Sequence, residues 1–209
     1  MKIGIIGSGD VGRTLAAGFL RHGHEVVIGT RDAKKLAEWS RQNPKAGLAE
    51  TAKASGVIVL AVKGTAASES LAQAGDDNLA GKVVIDATNP ISDSPPVNGV
   101  LAFFTDPRES LMERLQRGFP RAHLVKAFNS VGASCMVNPA FKGGPPTMFI
   151  AGNDAKAKAT VGGILEQFGW ETEDMGAAEA ARAIEPLAIL WCIPGFWRDD
   201  WVHAFKLLR

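Results

Sequence analysis

Apolar runs at 1–6, 24–29, 56–62, 82–86, 122–128 and 146–151, with a shorter one near 46–48, recur along the chain with room for a helix between most of them. The segments 11–22, 32–42, 66–74, 106–117 and 154–168, and a late one at 177–192, repeat apolar residues at helical spacing. Val57-Ile58-Val59-Leu60-Ala61-Val62 is apolar at every position, the pattern of a strand buried on both faces. Such strands alternating with helices predict an α/β fold: a doubly wound, mostly parallel sheet with helices on both faces. The pattern assigns 1–175 to this domain. It leaves 176–209 as a C-terminal helical tail that packs on the domain or on a dimer partner. The longest predicted loop is 91–105, which carries Pro95, Pro96, Asn98 and Gly99.

The first strand runs straight into Gly7-Ser8-Gly9-Asp10-Val11-Gly12, and a helical pattern starts at once after it. Gly-x-Gly-x-x-Gly between a strand and a helix is the Rossmann fingerprint. The first glycine makes the turn, the second admits a pyrophosphate to the backbone, and the third lets the helix pack on the strand. The helix N-terminus then faces the phosphates with free N–H groups. At the end of the second strand, where an NAD site carries an acidic residue for the ribose hydroxyls, this chain has Thr30-Arg31. A hydroxyl beside a guanidinium suits the 2′-phosphate of NADP, with Lys34 and Lys35 adding positive charge downstream. Asp32 reads either as a helix N-cap or as a ribose ligand displaced by one position.

Composition narrows the class. The chain has 209 residues and a formal net charge of +1, which gives no reason to expect nucleic acid or a membrane surface as partner. Cys135 and Cys192 lack metal-ligand spacing, and no metal site is expected. Strand one begins at the N-terminus, leaving no room for a leader. The expectation is therefore a cytoplasmic enzyme with a small-molecule partner.

Ligands in such sheets lie at the carboxyl ends of the strands, so three further turns belong to the candidate site. They are Ala61-Val62-Lys63, Thr88-Asn89 and Asn129-Ser130. Lys63, Asn89 and Asn129 are the candidates nearest the nicotinamide, although Asn in such turns equally serves the local backbone. The chain contains no Tyr, which excludes a Tyr-Lys dehydrogenase pair. His22, His24 and His123 fall at the opposite end of the strands. The tail 191–201 holds three of the five tryptophans, a composition that fits core packing, a dimer contact or a wall of the acceptor site.

Gly7–Gly12, Gly23-His24-Glu25-Val26-Val27-Ile28-Gly29-Thr30-Arg31 and Val125-Lys126-Ala127-Phe128-Asn129-Ser130 together resemble the NADPH:coenzyme F-420 (deazaflavin) oxidoreductase family. They are also similar to the cytosolic reductase domain of the STEAP ferric reductases. The resemblance spans nearly the whole chain. It implies NADP(H) bound by Ser8, Asp10, Val11, Thr30 and Arg31, hydride transfer to a flavin or deazaflavin ring, and a homodimer built on C-terminal helices. In the turn after the sixth strand the archaeal deazaflavin enzymes carry His. This chain has Asn129 there, as the STEAP-type domains do. Reduction of a small carbonyl or imine, or a regulatory dinucleotide-binding role without turnover, are the competing functions.

Overall fold

The computed structural model describes residues 1–32 and 45–209. Among them, eight strands form one sheet in the order β3-β2-β1-β4-β5-β6-β7-β8. The strands are β1 (Lys2–Ile6), β2 (Glu25–Gly29), β3 (Lys45–Ala46), β4 (Val57–Leu60), β5 (Val83–Asp86), β6 (His123–Lys126), β7 (Thr147–Gly152) and β8 (Glu171–Asp174). All neighbours run parallel except β6 and β7. The helices are α1 (Asp10–Arg21), α2 (Leu48–Ala54), α3 (Ala67–Ala74), α4 (Asp76–Leu79), α5 (Leu111–Gly118), α6 (Ala155–Gln167), α7 (Ala181–Ile184) and α8 (Leu187–Arg198). The doubly wound Rossmann sheet and the C-terminal helix match the expectation.

Continuous apolar runs build the middle of this sheet because β1, β4, β5 and β6 each feed two cores. Along β4, Val57 and Val59 enter one cluster with Phe19 of α1 and Val161 of α6, while Ile58 and Leu60 enter the other with Leu71 and Leu115. Strand order reverses between β1 and β4, which opens a crevice at their carboxyl ends.

Several boundaries differ from the periodicity. The helix expected over 106–117 starts at Leu111, where Ser110 accepts from the Glu113 N–H and Glu113 from the Ser110 N–H in a capping box. The late helix divides into α7 and α8, and α8 carries Pro194 inside it. The run near 46–48 gives only Lys45–Ala46 before α2 begins at Leu48. β8 escapes detection because Glu171-Thr172-Glu173-Asp174 is polar throughout and mostly exposed at the sheet edge. The helix predicted over 32–42, with Lys34 and Lys35, lies outside the described residues. Among the described residues, no helix is long and apolar enough to cross a membrane.

Candidate functional site

The strand ends meet in sequence. Gly7 N–H donates to Gly29 O, Ala61 N–H to Ile6 O, Ala87 N–H to Leu60 O and Ala127 N–H to Asp86 O, so the ladder continues one residue into each turn. Along this rim runs a cleft in two parts. The first, a cavity of about 480 Å³, is lined by Gly7, Ser8, Gly9, Thr30, Arg31, Ala61, Val62 and Lys63, with Leu48, Ala66 and Ser70 opposite. The second, of about 280 Å³, shares Val62 and Lys63 and continues along Thr88, Asn89, Ile91 and Asp93.

The three glycines of the turn do different work. Gly7 has φ +127°, and a Cβ there would collide with the Ala61 carbonyl; one at Gly12 would collide with the Gly7 carbonyl. The fold itself therefore demands both. Among the described residues, a Cβ on Gly9 would meet nothing within 4 Å, which leaves the space above it open for a ligand. Gly9 also forms the N-cap of α1 without any side-chain acceptor, which leaves the first-turn N–H groups to an incoming anion. The empty cradle and the unclaimed amides fit a dinucleotide diphosphate. Asp10 and Val11 begin α1 beside it, and the exposed Asp10 carboxylate pairs with Arg13 at 2.9 Å.

Ser8 Oγ and Thr30 Oγ1 lie 3.1 Å apart, and Thr30 Oγ1 accepts from the Asp32 N–H at 3.1 Å. This ties the end of β2 to the glycine turn. Arg31 reaches towards Glu69 of α3 across the cavity, 3.5 Å apart with both side chains more than half exposed. Lys63 stands exposed, 3.9 Å from Asp93.

At the other end the chemistry changes. Asn89 lines the cleft and donates to the Asn129 carbonyl at 2.7 Å; Asn129 donates to Asn89 Oδ1 and to the Ile184 carbonyl, each at 3.1 Å. Asn129 is buried behind Asn89 and does not line the cleft. Directly behind this pair lies a fully buried ion cluster. Lys126 Nζ sits 2.7 Å from Asp86 Oδ2 and 2.9 Å from Glu185 Oε1, and donates to the Thr88 carbonyl at 2.9 Å. The other Asp86 oxygen accepts from the Thr88 N–H and hydroxyl, and Glu185 accepts the Leu111 and Met112 N–H groups that open α5. Burial pushes the Lys126 ammonium down, but the facing carboxylates of Asp86 and Glu185 outweigh it, so its pKa stands above the ordinary lysine value. Next to it, fully buried Phe128 holds φ +64°, a strained conformation for a bulky residue. Asp86, Lys126 and Glu185 escaped the sequence reading. Their available signal was a charge inside an otherwise apolar run.

The predicted rim residues thus assemble, whereas the histidines stay away. His22 and His24 bond to Asn138 and Gln167 at the far end of the strands, and His203 stacks on Trp191 with centroids 5.0 Å apart. Of the tail tryptophans, Trp191 is buried against Gly132 and Trp197 is exposed. The 91–105 segment folds as an arm closed by Ile91 and Phe103, and Gly99 at its tip lies against Phe196 and Trp197.

Residues 2–90 match the family described as NADP oxidoreductase, coenzyme F420-dependent. The F420-dependent NADP reductase of Methanothermobacter marburgensis is 31% identical, over 91% of this chain and 90% of that protein. Metalloreductase STEAP3 of Rattus norvegicus is 31% identical over 92% of this chain, which spans only 38% of that protein's length. The crystal structure of a candidate F420-dependent NADP-reductase from Arthrobacter sp. FB24 superimposes with a TM-score of 0.93 at 35% identity, covering 100% of both chains.

Proposed function

Because the chain belongs to the coenzyme F420-dependent NADP oxidoreductase family, and is thus an NADP-dependent oxidoreductase, we propose that it passes a hydride from NADPH to a flavin or deazaflavin ring seated at the Asn89 end of the cleft. The observation that carries this reading is the pair of adjoining cavities, sharing Val62 and Lys63, that extend from the open cradle over Gly9 to Asn89. When bound, the dinucleotide supplies a hydride, and the acceptor ring takes a further proton from water, so two electrons and two protons reach the ring.

The protein's part is alignment. The α1 amides hold the diphosphate, Thr30 and Arg31 hold the 2′-phosphate, and Lys63 and Asn89 flank the nicotinamide end. No acid or base is required of the chain, in keeping with histidines that all lie elsewhere. In the expected homodimer, exposed Val97, Leu190 and Trp197 supply apolar surface for the partner, and a monomer by light scattering would remove that assignment.

The test is NADPH oxidation by the purified protein, followed at the nicotinamide absorbance, with F420, FMN, FAD and riboflavin supplied in parallel. Turnover with one ring names the acceptor. Tight NADPH binding with turnover only on an imine or carbonyl would replace this reading with the competing reductase.

A further inference from the structure

We propose that Lys126 is a positioning residue: its ammonium locks the nicotinamide end of the cleft into a single arrangement, while the phosphate end is held independently. This deepens the proposed function and rests on its placement of the nicotinamide beside Asn89.

Two chain segments meet the strand of Lys126 at this one nitrogen. Through Asp86 and the Thr88 carbonyl it holds the 87–89 turn, which lines the cleft. Through Glu185 it holds the C-terminal segment, whose Ile184 carbonyl accepts from Asn129. Glu185 in turn fixes the first turn of α5. Asn89 and Asn129 are therefore braced from both sides, Asn89 by its own turn and Asn129 by the segment opposite. A buried network of one ammonium and two carboxylates gives little net stability over a packed apolar core, so what it supplies here is a unique geometry. Among the described residues, the Gly7–Gly12 turn and Arg31 share none of these contacts, which separates the two ends of the site.

Lys126→Met preserves the length and bulk of the side chain and removes only the ammonium. NADPH affinity by titration is expected to stay within about threefold of the parent. The rise in NADPH fluorescence that reports immobilisation of the nicotinamide is expected to be largely lost, and turnover with whichever acceptor the parent uses to fall by about a hundredfold. If this variant does not fold, the combined Asp86→Asn, Lys126→Met, Glu185→Gln protein, whose core is neutral, takes the same readouts. Folded variant with parental fluorescence and turnover overturns the proposal, as does parallel loss of affinity at both ends. The fluorescence readout needs no acceptor, so a parent protein that turns over none of the rings would sink the proposed reaction and leave this test standing.

Discussion

The two ends of the cleft are built from opposite materials. The end proposed for the phosphates is backbone and open space: a glycine whose missing Cβ would meet none of the described residues, helix amides without a side-chain cap among them, and exposed charges that water already solvates. The end proposed for the nicotinamide is braced from behind by buried side chains, Asp86, Lys126 and Glu185, at zero to 2% exposure and wired to four segments of chain. Backbone amides can be set by one local turn, whereas a buried ammonium must have its partners delivered by the whole fold. Binding and alignment, the roles proposed for the two ends, are accordingly open to separate tests.

The largest effect tests the first half of that contrast. Gly9→Val is expected to reduce affinity for NADPH and NADH alike by more than about a hundredfold while leaving the melting temperature nearly unchanged, since the added atoms enter ligand space. Gly7→Ala should instead unfold the protein or lower its melting temperature steeply, because its Cβ meets the Ala61 carbonyl at a φ that disfavours any side chain. Equal behaviour of the two variants would erase the distinction. Next, Arg31→Ala is expected to weaken NADPH by about tenfold or more with NADH changed little, measured by titration at low and high salt. Equal losses for both cofactors would remove the 2′-phosphate role.

A smaller effect concerns the helix that the buried end leans on. The Arg182 guanidinium, together with the Ser110 N–H and hydroxyl, holds the Glu113 carboxyl down to about 2 from an ordinary value of 4.5, against the opposing effect of burial. Its folded value is depressed, so its stabilisation is present above about pH 5 and lost as pH falls towards 2. Glu113→Gln should cost about 1 kcal/mol at pH 7 and flatten the acid limb of the melting curve. A variant that keeps the parental slope would dismiss the hold of Arg182 on the Glu113 carboxylate. The smallest expected change is a gain: Glu69→Gln frees Arg31 from an exposed partner and should tighten NADPH by about threefold or less at low salt, with NADH unaffected.

Much of this was legible in the residues. Gly7–Gly12 and Thr30-Arg31 could be read as a candidate dinucleotide end because each acts within a few residues of itself, and the structure brings them together around one cavity. The strand ends 61–63, 88–89 and 129–130 could be gathered because parallel sheets place all such turns on one rim. β8 was invisible since an exposed edge strand needs no apolar residue, and α2 was missed because seven residues carry too short a period. For Asn129 the residues left ligand contact and local backbone support open, and the structure places it buried behind Asn89.

The sequence by itself determined the apolar strands of the sheet, the crevice at their ends and the kind of cofactor, because hydrophobic periodicity and glycine's conformational freedom are local properties of the chain. Only the tertiary structure decided that Asp86, Lys126 and Glu185 form one cluster and that Asn89 and Asn129 clasp each other. Those contacts join residues far apart in the chain. A charge takes its meaning from the partners that burial brings to it, and no local pattern specifies them.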